Sequence, residues 1–153
     1  MREIDDLLAD HPFFRGLPPD DLALIAGCAS NVRFDGGSYL FHEGDPSDRF
    51  YLIRHGRVAI EISSPGRGRM TISTLGPGEM LGWSWLVPPY RKQSDSRALE
   101  LVRATAFDGA CIRKKCEEDP RLGYELLKRF AQIIGQRLRA TRMQLLDVYG
   151  TWG

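Results

Sequence analysis

Apolar and polar positions change period twice along this chain. Ile4, Leu7 and Leu8 fall at helical spacing, and Pro12 closes that segment. Pro18-Pro19-Asp20-Asp21 opens a second helix with acids at its positive end and Leu22, Leu24, Ile25 and Cys28 as its apolar set. Phe13, Phe14 and Leu17 lie between the two and are expected in the core. From Val32 the period drops to two. Val32 and Phe34, then Tyr39 and Phe41 after the turn Asp35-Gly36-Gly37, alternate with polar neighbours. Phe50 to Ile53 reads as a buried strand, and Val58, Ile60 and Ile62 alternate beyond Gly56. Ser64-Pro65-Gly66-Arg67-Gly68 is a hairpin tip, Met70, Ile72 and Thr74 continue past it, and Ala98 to Ala106 supplies the last strands. After Phe107 the helical period returns. Asp108 caps a short helix through Cys116, and Pro120 stands where a second begins. No proline interrupts residues 121–149, a helix roughly 40 Å long. The pattern predicts one mainly-β domain with flanking helices over residues 1–153: N-terminal helices in 1–30, a β-sandwich or jelly-roll barrel in 31–107, and C-terminal helices in 108–149.

Composition narrows the function classes. At 42% hydrophobic and 27% charged, the chain has the balance of a soluble globular protein. No apolar run is long enough to span a bilayer, and the acidic start Met1-Arg2-Glu3-Ile4-Asp5-Asp6 lacks a signal peptide's apolar stretch, so the expectation is a cytoplasmic protein with no membrane partner. The three cysteines, Cys28, Cys111 and Cys116, form neither a disulfide framework nor a metal-ligand spacing, and are read as small buried or half-buried thiols. No nucleophile–base grouping, phosphate-loop motif or carboxylate pair is evident, so an enzyme is not expected. His11, His42 and His55 read as helix-end, turn and strand-end residues, and Glu79 as a structural turn residue. The net charge of +1 hides an acidic N-terminal segment and a basic C-terminal helix.

The glycines punctuate the strands in a specific order: Glu43-Gly44-Asp45, Phe50 to Ile53, Gly56, Gly76-Pro77-Gly78-Glu79, then Gly82. With Phe14-Arg15-Gly16-Leu17 at the start, this series resembles the cyclic nucleotide-binding domain shared by the catabolite activator protein family, cyclic-nucleotide-dependent kinases and gated channels. The resemblance covers nearly the whole chain. It implies a jelly-roll barrel, a cyclic nucleotide as default ligand, and a long C-terminal helix that pairs with its twofold mate.

In the family the binding cassette opens on Gly-Glu, passes through a short helix and ends on Arg followed by Ser or Thr and Ala. The Glu accepts from the ribose 2′-hydroxyl, and the Arg forks onto the cyclic phosphate, aided by free N–H groups of the short helix. Here Gly82 keeps the glycine, but Trp83 stands where the Glu belongs. Counting back from Ala98 puts Lys92 at the Arg position, with Arg91 beside it and Gln93 and Ser94 in place of the Ser/Thr-Ala pair. Pro88-Pro89 calls for a one-residue gap in that alignment. The residues implied for a ligand are therefore Gly82, Trp83, Ser84, Trp85, Arg91, Lys92, Gln93 and Ser94. The ligand would be a weakly held cyclic nucleotide or another small anion. Two readings of Trp83 and Trp85 stay open: they stack on a ligand, or they fill the cavity and pack on the barrel.

Along the last helix, Leu127, Phe130, Ile134, Leu138, Thr141, Leu145 and Val148 follow steps of three and four, close to a heptad seam. A homodimer through this stripe is expected, with a further protein as partner. The family's transcription factors continue into a helix-turn-helix domain; this chain stops at Gly153, so sequence-specific DNA recognition is not expected. The resulting expectation is a non-catalytic sensor or regulatory domain. The alternatives are a ligand-free scaffold and a nucleic-acid binder using Arg129, Arg137, Arg139 and Arg142.

Overall fold

A computed structural model describes residues 4–86 and 88–150. Two compact units emerge, Met1–Lys115 and Cys116–Gly153. The first opens with helices α1 (Ile4–Asp10) and α2 (Pro19–Ala26). Strands β1 (Ala29–Phe34), β2 (Tyr39–Phe41), β3 (Arg49–His55), β4 (Val58–Ser64), β5 (Gly68–Leu75), β6 (Met80–Leu81), β7 (Asp95–Ala98) and β8 (Val102–Asp108) follow. A single 3-10 turn, Trp83–Trp85, lies between β6 and β7. Helix α3 (Gly109–Glu118) carries the chain across the boundary between the units, and α4 (Pro120–Gly150) dominates the second.

Among the described residues the strands form two antiparallel four-stranded sheets, ordered β1-β8-β3-β6 and β2-β7-β4-β5. This is a jelly-roll sandwich. The alternation read from the sequence points the apolar side chains inward. Tyr51, Ile53, Val58, Leu75, Ala98 and Val102 meet in one buried cluster between the sheets, with Val32, Phe34 and Ile60 packed at its edge. A second apolar set is aromatic. Trp85 stacks on Phe50 at 4.8 Å, Phe50 on Phe107 at 4.6 Å, and Phe107 on Phe14 at 5.7 Å. These contacts join the 3-10 turn, the β3–β8 pair and the N-terminal segment.

The helices start where the sequence signals say. Asp108 Oδ1 accepts from Cys111 N at 3.1 Å, and Asp119 Oδ1 accepts from Leu122 N at 3.4 Å, so an aspartate caps both α3 and α4. His11 does more than end a helix. Phe13 N donates to its Nδ1 at 3.0 Å, which leaves the proton on Nε2, 2.6 Å from Gly78 O. That bond ties the N-terminal segment to the turn before β6. Glu79 closes the same turn, its Oε2 accepting from Gly76 N at 2.6 Å.

The cysteine reading is corrected. Cys28 and Cys111 are joined in a disulfide across 83 residues of sequence, and Cys116 alone among the described cysteines stays free. The pairing follows from sheet register: β1 meets β8 with Ala29 opposite Phe107, which brings the residue before β1 beside the start of α3. Spacing along the chain carries no trace of that juxtaposition.

In the second unit, α4 runs for 31 residues, about 46 Å. Leu122, Leu126 and Phe130 are buried, whereas Leu127, Leu138, Leu145 and Val148 are exposed.

Candidate functional site: the cassette between β6 and β7

The cassette starts at Gly82, which has φ +89°, a backbone conformation open to glycine. A β-carbon there would also lie 2.7 Å from Lys92 Nζ and 3.4 Å from Arg49 O. The dihedral calls for glycine, and any side chain there would also displace the lysine's ammonium. Ser84 is buried and donates from Oγ to Ser47 Oγ at 2.9 Å, pinning the 3-10 turn to the β2–β3 loop. The side chain of Trp83 lies outside the described residues.

The far end of the cassette returns along the same loop. Ser47 N donates to Tyr90 O at 2.7 Å, Lys92 N to Asp45 O at 2.9 Å, and Gly44 N to Lys92 O at 2.9 Å. Between the two ends the chain passes through a cis Pro88–Pro89 bond and Tyr90, whose φ is +57°. Asp95, at the start of β7, turns a nearly buried carboxylate back toward the loop: its Oδ1 accepts from Glu43 N at 2.8 Å, and Arg69 Nη2 lies 3.2 Å from its Oδ2. The geometry of this region is therefore set by backbone pairing between residues about 45 apart, with a buried acid beside it.

Lys92 is the chemical centre. Its side chain is 3% exposed, its Nζ donates to Arg49 O at 2.6 Å, and the ammonium stands 4.4 Å from the centroid of the Phe41 ring. Burial drives its pKa down to about 8, against the pull of Asp48 and Asp45. One carbonyl, one aromatic face and two nearby acids thus take the place of water around this cation.

The other expected ligand residues divide. Gly82, Lys92 and the Ser84 end of the 3-10 turn come together. Arg91 is exposed with Nη1 3.4 Å from Gly44 O, and Gln93 is exposed with its amide 3.3 Å from Arg91 O. Ser94 is half-buried. Trp85 points elsewhere: it is fully buried with one face on Phe50. Its backbone carbonyl accepts from Arg113 of α3, whose guanidinium lies 4.5 Å from the centroid of Tyr90. Gly109, the first residue of α3, packs so close to Trp85 that a β-carbon would fall 2.9 Å from Trp85 Cβ.

Sequence reasoning missed Phe41, Arg49, Asp95, Arg113 and Tyr90 as parts of this assembly. Phe41 was legible only as an inward strand residue, and Arg49 contributes a carbonyl, which no side-chain pattern reveals. It also missed Ser96, which faces Ile60 and Phe41 across the sheet and is fully buried; its hydroxyl has no hydrogen-bond partner among the described residues.

The family model for the cyclic nucleotide-binding domain matches residues 31–119, which contain the cassette, α3 and all of the barrel but the first two residues of β1. The chain belongs to the cyclic nucleotide-binding domain family. A "CRP-like cAMP-activated global transcriptional regulator" of Mycobacterium tuberculosis is 29% identical over 148 residues. That alignment takes in 97% of this chain but 64% of the regulator, so the chain spans less than two thirds of that relative's length. A crystal structure from Geobacter metallireducens superposes with TM-score 0.80 at 30% identity, covering 90% of this chain and 99% of that one. The regulatory domain of Toxoplasma gondii PKA, crystallised with cAMP, shares the fold at TM-score 0.72 and 16% identity, covering 87% of this chain and 49% of that one. Among the described residues no helix is long and apolar enough to cross a membrane.

Proposed function

We propose that this cyclic nucleotide-binding domain is a non-catalytic sensor or regulatory module that holds cyclic AMP and cyclic GMP weakly, in the high micromolar range or above. The observation that carries this reading is the state of Lys92. It stands at the position where the family places its phosphate-binding Arg, yet its ammonium is buried and engaged by Arg49 O and the Phe41 ring. A phosphate must compete with those contacts, and a lysine offers a point charge where the family offers a planar fork. The ribose partner is also lost with Trp83, a deficit of about 1–3 kcal/mol for a buried hydroxyl.

Assembly belongs to the same proposal. The exposed apolar residues Leu127, Leu138, Leu145 and Val148 suit a homodimer through α4. Phe130, already buried within the single chain, is left out of the seam proposed here.

Calorimetric titration with both cyclic nucleotides tests the reading, repeated on Lys92→Ala and Arg91→Ala. Dissociation constants in the high micromolar range or above support it. Submicromolar binding abolished by either substitution overturns it and restores the family's default function. Complete absence of binding by any nucleotide or small anion favours the scaffold alternative.

A further inference from the structure

We propose that Cys28 and Cys111 form a reversible thiol–disulfide switch that sets how firmly the first turn of α3 is held to the ligand cassette. The inference does not depend on which ligand the cassette takes.

Three features of the bond's placement carry it. First, the fold aligns the two cysteines without the bond. Asp108 N donates to Cys28 O at 2.9 Å, and the β1–β8 ladder fixes Ala29 opposite Phe107, so the α-carbons of Cys28 and Cys111 stand 5.8 Å apart. Breaking the bond leaves both thiols in place to re-form it, as a switch requires. Second, the pair is accessible from one side. Cys28 is buried at 8% exposure, while Cys111 is half-buried in the first turn of α3, so an incoming thiol or disulfide meets Cys111 first. Cys116 is a poor competitor, because burial pushes its thiol above the ordinary range.

Third, the bond clamps the turn that grips the cassette. Within five residues α3 presents Gly109 against Trp85, Cys111 in the disulfide, and Arg113 to the Trp85 carbonyl and the Tyr90 ring. Gly109 N also donates to Asp48 O at 2.8 Å, one peptide before the Arg49 carbonyl that receives Lys92. The α2–β1 corner, the first turn of α3 and the lysine of the cassette are thus linked through consecutive contacts.

The chemistry balances with a low-molecular-weight disulfide as oxidant. The Cys111 thiolate attacks that disulfide, forming a mixed disulfide and releasing one thiolate. Cys28 then attacks the Cys111 sulfur, closing the bond and releasing the second. The protein loses two electrons and two protons, and the small disulfide becomes two thiols. Reduction by the same thiol runs the steps backwards, with attack on Cys111 first.

The full chain is equilibrated in mixtures of reduced and oxidised glutathione, and thiols are trapped by alkylation for non-reducing peptide mapping. Amide hydrogen exchange is then compared between the two end states. The Cys28 and Cys111 peptides are expected to be linked in oxidised glutathione and separated in reduced glutathione. In the reduced chain the amides of Gly44, Ser47, Lys92 and Gly109 should exchange about tenfold faster by local opening, at labelling times too short for the β3–β8 ladder, which opens only by global unfolding, to exchange in either state. Cys28→Ser and Cys111→Ser should match the reduced wild type, and Cys116→Ser should behave as wild type. The reduced wild type carries the comparison if either serine variant fails to fold. Failure of the bond to form in oxidised glutathione overturns the proposal. So does identical exchange in the two states, and so does loss of protection throughout the β-ladder on reduction, which would mark a structural staple.

Discussion

Lys92 Nζ stands 4.4 Å from the centroid of the Phe41 ring, and the same ammonium is bonded to the carbonyl of Arg49. A charged group so enclosed makes stability depend on pH. Its folded pKa, about 8, lies below the ordinary 10.5. Between those values the unfolded chain holds a proton that the folded chain has released, so stability rises with pH across that window. The gain is on the order of 3 kcal/mol, complete above the unfolded value and absent below the folded one. Tyr51 and Cys116, both raised by burial, oppose it at alkaline pH. The measurement is therefore the difference between wild type and Lys92→Met in urea titrations from pH 7 to 11. The difference should grow in favour of the wild type from about pH 8; a pH-independent difference contradicts the burial argument.

Gly109→Ala should destabilise the first unit. Its β-carbon would meet Trp85 Cβ at 2.9 Å and Asp48 O at 3.3 Å, and neither is the tip of a flexible side chain. Overpacking of this kind costs about 1–3 kcal/mol, and the better helix propensity of Ala returns less than about 1 kcal/mol. Chemical denaturation should show a net loss, with a change in tryptophan fluorescence of the folded state because Trp85 must shift. An unchanged midpoint and spectrum would contradict the tight packing.

Reduction of the disulfide should lower stability by about 2–4 kcal/mol, because the closed loop spans 83 residues. Urea titrations with and without a reductant measure it, with Cys28→Ala as the control that responds to neither. A midpoint indifferent to reductant would show that the bond does not constrain the unfolded chain.

Leu138→Asp with Leu145→Asp should give a monomer in analytical ultracentrifugation while leaving circular dichroism of the barrel intact. Both residues are 51% exposed in the single chain, so the change removes little buried apolar surface within it. A wild-type monomer at high micromolar concentration would remove the basis for dimerisation.

Most strands, their turns and both C-terminal helix starts were legible because each is written locally, whereas the short β6 and the part of β7 before Ala98 were not. Period-two alternation in Val58, Ile60 and Ile62 marks a half-buried strand, Asp108 caps the helix that follows it, and Pro120 marks the start of the next. The glycine order pointed to the family, and Gly82 and Lys92 were singled out by position alone. What the sequence could not assign was each side chain's surroundings. Trp85 is core because it stacks on Phe50, which is itself stacked on Phe107, and no neighbour along the chain reveals that. Nothing in a lysine's neighbours along the chain shows that its ammonium will meet the Arg49 carbonyl, 43 residues away. Cys28 and Cys111 met for the same reason: antiparallel register brings distant segments together, and register is settled by the burial of whole sheet faces. Local periodicity is a property of consecutive residues, whereas a site is made where several strands and turns end in the same place.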